Sequence, residues 1–224
     1  GVQVKGNSIT LLRAKGPRAY LGSRCVSDFE PDAFYQAKLL GRSLVYTMEL
    51  STVTCACNAA LYLVQMPGIG SDGQPALSTS KDYYCDANEV SGVWCVEEDV
   101  QEANAYAYHA TPHSCTASSS VPGYYTSCDR GGPGLSTQSD LSQYGPGSSV
   151  IDTNKPFQVS TTYGTSGDQL AFITTTFTQN GQSFALNNTD SSYLAAMTPA
   201  LESGMTVTLS LWGDSAATMS WLDE

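Results

Sequence analysis

Val93-Trp94-Cys95-Val96-Glu97-Glu98-Asp99-Val100-Gln101-Glu102-Ala103-Asn104 places four carboxylates within six residues of a stretch otherwise composed like a β-strand. Side chains alternate along a strand, so Glu97 and Asp99 share one face. Glu102 is an odd number of residues from Glu97, and a regular strand sends it to the other face. A β-bulge between Asp99 and Glu102 returns it, and three carboxyl groups then line one stripe. Like charges held that close raise one another's pKa. Glycoside hydrolysis uses that arrangement: one carboxylate attacks the anomeric carbon and a second, kept protonated, donates to the leaving oxygen. Taken alone, the spacing also fits a solvated acidic edge or, less well, a calcium site.

The rest of the chain agrees with a strand at its centre. Of 224 residues, 41% are apolar, enough for a core, and only 14% are charged, against about 25% in an average soluble protein. Twenty Gly and 13 Tyr help fill that gap, and long amphipathic helices lack their usual residues. Ser43 to Leu50, Ala59 to Met66, Phe157 to Tyr163 and Gln169 to Thr178 are rich in β-branched and aromatic residues and predict strands. Val2-Gln3-Val4 and Ile9-Thr10-Leu11 flank Gly6-Asn7 as an opening hairpin, and Asn180-Gly181 marks a second hairpin turn. Met205 to Trp212 alternates Met, Val, Leu, Leu with Thr, Thr, Ser, Trp. One short helix is expected, with Thr198 as N-cap, Pro199 first and Gly204 just past its end. The Ser/Gly/Pro-rich residues 116–149 read as a long surface loop. Many strands with few helices predict an all-β sandwich or barrel, and no linker divides residues 1–224, so one domain is expected.

The net charge of −11 opposes binding to nucleic acid or to an anionic membrane, and no apolar run is long enough to span a bilayer. No leader segment is evident, which leaves a cytosolic chain or a mature secreted one. The seven cysteines (Cys25, Cys55, Cys57, Cys85, Cys95, Cys115, Cys128) form no C-x-x-C pair, and His109 and His113 are the only histidines. That disfavours a metal centre and favours disulfides in an oxidising compartment, with one cysteine left over or paired outside this chain. Asn187-Asn188-Thr189 is an N-glycosylation sequon and adds to a secreted reading.

The acidic strand resembles the active-site strand of glycoside hydrolase family 7, the fungal-type cellulases. Further blocks resemble the family in order: Gly16-Pro17-Arg18-Ala19-Tyr20-Leu21, Cys57-Asn58-Ala59-Ala60-Leu61-Tyr62-Leu63, Thr111-Pro112-His113-Ser114-Cys115, Tyr144 to Ser149 with Asp152-Thr153, and Met205 to Asp223. The resemblance implies a concanavalin-like jelly-roll β-sandwich with a glucan cleft on its concave face. It implies a secreted, retaining endo-β-1,4-glucanase without metal or cofactor, acting on β-glucan in an open groove. Glu97 is then the nucleophile, Glu102 the acid/base, Asp99 its assistant sharing a proton or hydrogen bond with Glu97, and His113 a support. Asn58 and Tyr62 are expected near the cleaved sugar, with the Tyr62 hydroxyl holding the nucleophile. Trp212 and Trp221 are expected as sugar platforms on either side of the cleavage point. Asp86 and Arg130 are further substrate-binding candidates. By the same resemblance Cys85 pairs with Cys95 and Cys115 with Cys128, while Cys25, Cys55 and Cys57 stay unassigned.

Departures from the family pattern accompany these matches. Gln101 stands where members usually carry Trp, and Glu98 where they carry Met, which puts subsite contacts in question. The loops after Cys85 and Cys115 are short. The family's N-terminal portion and last core strand are missing, as in a pared-down member or a fragment. Two other readings remain: a glucan-binding or structural module on the same fold, and a sandwich enzyme acting on β-1,3- or mixed-linkage glucan.

Overall fold

The computed structural model describes residues 1–12, 18–139 and 142–223. Gly16 and Pro17 of the early family-like block lie outside them. The opening hairpin is present as β1 (Val2–Lys5) and β2 (Ser8–Leu11), turned at Gly6-Asn7 with φ +60° at Gly6. Next come β3 (Arg18–Tyr20), β4 (Gln36–Ala37), β5 (Ser43–Met48), β6 (Cys57–Val64), β7 (Glu97–Ala103) and β8 (Tyr108–His113). Residues 116–149, expected as a loop, contain much regular structure. Cys115–Ala117 (β9) pairs with Tyr125–Cys128 (β10), Leu135–Ser136 (β11) joins β8, and Tyr144–Gly145 (β12) pairs with Ile151–Asp152 (β13). Buried Tyr125, Thr137 and Tyr144 hold this segment down. The chain continues through β14 (Phe157–Ser166), β15 (Gln169–Gln179), β16 (Gln182–Asn188), helices α1 (Ser191–Leu194) and α2 (Thr198–Ser203), β17 (Met205–Gly213) and α3 (Ser220–Asp223).

Two sheets make the jelly-roll sandwich. One runs β11-β8-β7-β6-β17-β3, with β4 also on β17; the other runs β16-β15-β14-β5. Apolar side chains from both meet between them: Leu61, Leu63 and Val100 from one, Tyr163 and Ile173 from the other, and a second cluster of Tyr108, Leu211, Phe157 and Phe177. Fully burying such a side chain stabilises by roughly 1.5–3 kcal/mol. Tyr108 meets Phe177 edge to face, with ring centroids 4.7 Å apart. None of the described helices is long and apolar enough to cross a membrane.

The bulge in the acidic strand is present and has identifiable supports. Between Asp99 and Glu102, β7 advances three residues while β8 advances two, from Thr111 to His109. The β6 side shows the same extra residue. A bulge interrupts the ladder, so its backbone groups need other partners. The Tyr108 hydroxyl donates to the Val100 carbonyl at 2.7 Å, and the Gln101 side-chain amide donates to the Ala59 carbonyl at 3.0 Å. Tyr46 of β5 donates to Gln101 Oε1 at 3.1 Å, tying the bulge to the opposite sheet. Gln101 is therefore buried between the sheets, so its departure from the family residue alters the core and not a sugar contact.

Thr198 does not cap α2. It lies inside the helix, Met197 is the N-cap, and the Thr198 hydroxyl accepts from Leu170 N at 3.0 Å. A tertiary partner outcompetes the local cap. Gly204 ends the helix at φ +114°, a left-handed-region backbone suited to glycine. Both disulfides implied by the resemblance form, Cys85–Cys95 and Cys115–Cys128, and Cys25, Cys55 and Cys57 are free.

Candidate active site

Cross-strand register builds the site. One row runs Arg18 (β3), Ser210 (β17), Ala60 (β6), Glu102 (β7), His109 (β8), Ser136 (β11), each residue opposite the next. Glu97 faces His113 and Asp99 faces Thr111 in the same ladder. With the bulge, Glu97, Asp99 and Glu102 lie on the face of the larger sheet turned away from the sandwich, and Glu98 points into the sandwich.

Each carboxyl has its own setting. Glu97 is 5% exposed, and its Oε2 accepts from Ala87 N at 3.0 Å. Burial, then the neighbouring Asp99 and Asp86, push its pKa well above the usual carboxylate range. Burial and then Asp99 do the same to Glu102, while the Asn58 amide works against them. Asn58 Nδ2 donates to Glu102 Oε1 at 2.8 Å, and Asn58 Oδ1 accepts from Ala103 N at 3.1 Å. Asp99 Oδ2 lies 3.0 Å from His113 Nε2, and His113 Nδ1 lies 2.8 Å from the Asp129 carbonyl. A carbonyl only accepts, so Nδ1 carries a proton. A second proton must sit between Nε2 and Oδ2, because a lone pair facing a carboxylate would repel it. The hydrogen bond expected from Asp99 to Glu97 goes to His113.

The other expected site residues divide. Asn58 is fully buried and its amide holds Glu102. The Tyr62 hydroxyl, expected to hold Glu97, accepts from the Tyr84 hydroxyl at 3.3 Å. Asp86 is buried, and its Oδ1 accepts from Asn88 N and Val90 N, both at 3.0 Å. It shapes the turn that carries Ala87 N–H to Glu97. Arg130 is exposed, with its guanidinium 5.0 Å from the Trp94 ring centroid and 4.0 Å from Glu89. Trp212 and Trp221 are 40% and 41% exposed, so neither is lost to the core. They stack on each other, with centroids 6.2 Å apart and planes at 24°. They form one aromatic shelf and not two separate platforms.

Sequence reasoning missed a second group. The Arg18 guanidinium sits 3.5 Å over the Tyr84 ring, and Arg18 Nη1 donates to the Tyr20 hydroxyl at 3.4 Å. Tyr20 in turn donates to Asp82, which also accepts from Ser78. Through Tyr84 and Tyr62 this group leads back toward Glu97 and Asp99, whose charges act on the Tyr62 hydroxyl. The available signal was the two-residue spacing of Arg18 and Tyr20, which puts both on the open face.

A jelly-roll sandwich with a carboxyl triad on one open sheet, an Arg/Tyr group beside it and an exposed indole shelf has the make-up of a carbohydrate-active fold. The model of the family described as glycosyl hydrolase family 7 matches residues 76–194, more than half of the chain, and the chain belongs to that family. It is 32% identical over 266 residues to Endoglucanase EG-1 of Hypocrea jecorina, covering 100% of this chain and 55% of that protein. It is 29% identical over 294 residues to Endo-beta-1,4-glucanase celB of Emericella nidulans, covering 100% of this chain and 67% of that one. The chain thus spans little more than half the length of the first of these relatives. Among solved structures it resembles endoglucanase I complexed with cellobiose (TM-score 0.79, 23% identity, 100% of this chain and 69% of that one). It also resembles the native Humicola insolens endocellulase EGI (TM-score 0.72, 22% identity, 100% and 69%). At those identities the likeness shows the fold.

Proposed function

We propose that residues 1–224 form a catalytic domain of a secreted, retaining endo-β-1,4-glucanase that cleaves β-glucan chains in an open groove. The observation that carries the reading is the bulge, which brings Glu97, Asp99 and Glu102 to one face and leaves Glu102 held by Asn58. A Glu97 carboxylate oxygen attacks the anomeric carbon. As that C–O bond forms, the glycosidic C–O bond breaks and the Glu102 proton passes to the leaving oxygen. Glu102, now ionised, takes a proton from water, whose oxygen bonds the anomeric carbon and expels the Glu97 carboxylate. One water is consumed and the configuration is kept.

The Asp99–His113 pair supports the charge state this requires. His113, hydrogen-bonded to Asp99, opposes part of the upward push that burial, Asp99 and Asp86 exert on Glu97. Ala87 N–H stabilises the Glu97 carboxylate, since a hydrogen bond to the charged form favours it. Glu102 stays protonated through burial. The Trp212–Trp221 shelf offers aromatic faces to the C–H faces of glucose units, and the Arg18–Tyr20–Tyr84 group offers hydrogen-bond donors. Proton NMR of the first sugar released from a soluble β-1,4-glucan tests the reading. Initial appearance of the β-anomer supports it, and the α-anomer overturns the retaining assignment.

A further inference from the structure

His109 belongs to no expected catalytic group, yet it stands directly across the β7–β8 ladder from Glu102 on the open face. Its Nε2 lies 3.0 Å from Ser136 Oγ, the next residue in the same row. Its imidazole meets Trp221 edge to face, with ring centroids 5.8 Å apart and planes at 81°. Burial lowers its pKa, and the Leu222 backbone, one residue along, offsets part of that lowering. The Leu222 carbonyl also accepts from Gln138 Nε2 at 3.3 Å.

The helix carrying Trp221 is a single four-residue turn. Its backbone is moored by buried Leu222 and by Asp223, which accepts from Ala56 N at 2.7 Å and from Asn104 Nδ2 at 2.6 Å. Neither mooring sets the angle of the indole. The rings against the indole are Trp212, stacked on it, and His109, nearly perpendicular to it. Trp212 is itself exposed, whereas His109 is tied to β11 through Ser136.

We propose that His109 is a positioning residue that fixes the Trp221 indole beside Glu102, so that a glucose unit of the glucan stacks there in register with the acid/base. This rests on the proposed function, because it assumes that glucan runs over this face. An imidazole is flat and rigid, and with Nε2 held by Ser136 it meets the indole at a fixed angle. A flexible or shorter side chain leaves Trp221 free to turn against Trp212 alone.

The test combines steady-state kinetics with a direct report on the indole. Protein grown with 5-fluorotryptophan gives resonances for Trp94, Trp212 and Trp221, assigned with W94F, W212F and W221F. In H109A the Trp221 resonance should move and broaden. KM for soluble β-1,4-glucan should rise about tenfold with kcat within about twofold, and H109Q should restore part of both. H109L, which fills the same space, replaces H109A if that variant fails to fold. An unmoved Trp221 resonance overturns the proposal, and so does a fall in kcat with KM unchanged. If the unsubstituted protein neither binds nor cleaves glucan, the proposed function fails by itself. The fluorine resonance then still decides whether His109 sets the indole: movement upholds the contact and no movement removes it.

Discussion

Asn58 Nδ2 donates to Glu102 Oε1 at 2.8 Å, and its Oδ1 accepts from the Ala103 N–H on the strand that carries Glu102. The amide cannot flip without losing both bonds, so one β6 side chain fixes the orientation of the proposed acid/base on β7. The same bond opposes the upward shift that burial and Asp99 impose on Glu102. Replacing Asn58 with Ala therefore raises the Glu102 pKa further. The limb of the rate profile on which the acid loses its proton should move to higher pH, and turnover at the optimum should fall roughly 10–100-fold as orientation is lost. The pH dependence of kcat/KM for N58A against the unsubstituted chain checks this. A profile that stays in place contradicts it.

Glu98 makes the opposite prediction, for stability. It is 1% exposed between the sheets, and among the described residues its Oε2 has no hydrogen-bond partner. Burial first, and the Glu97 charge after it, push its pKa to about 8 from an ordinary 4.5, while His113 acts the other way. The folded chain thus holds Glu98 neutral while the unfolded chain ionises it. The contribution of Glu98 to stability is fully present below about pH 4.5 and is lost as pH rises toward 8. Glu98→Met removes that loss. Its melting temperature should match or modestly exceed that of the parent near pH 4 and draw ahead through pH 8, by up to a few kcal/mol in unfolding free energy. Calorimetry across that range checks it, and a constant difference sinks it.

A third expectation concerns the sequon. Asn187 is exposed near the end of β16, the outermost strand of the smaller sheet. Its Oδ1 accepts from Thr174 Oγ1 at 2.9 Å, which leaves Nδ2, the atom that takes a sugar, unused by that bond. Secreted from a glycosylating host, the chain should carry an N-glycan that Thr189→Ala abolishes. Intact-protein mass before and after amidase treatment checks this. A parent mass that shows no glycan and loses none on amidase treatment contradicts it.

The bulge was readable from the acidic strand because the parity of Glu97 and Glu102 demands it if both are to share a face. The two-residue alternation of Met205 to Trp212 likewise forecast β17, and the main strands followed from composition. What escaped depended on partners far away in sequence. Thr198 was read as a cap from its neighbours, but Leu170 N claims its hydroxyl. Residues 116–149 looked like loop because their short strands are stabilised by β8 and by buried tyrosines, not by local propensity. Arg18 meets Tyr84 across a gap of 66 positions, and the stacking of Trp212 on Trp221 depends on where α3 docks. Periodicity carries none of those facts.

The central claim is that Glu97 is the attacking carboxylate. Its most direct test compares turnover of soluble β-1,4-glucan by Glu97→Gln and by the parent, with glucan binding measured on both. Gln keeps the shape of Glu97 and cannot form the covalent intermediate. Turnover should fall by roughly three orders of magnitude or more while the dissociation constant for glucan stays within a few-fold, as expected when a group acting only in the transition state is removed. Unchanged turnover in E97Q contradicts the account at its centre.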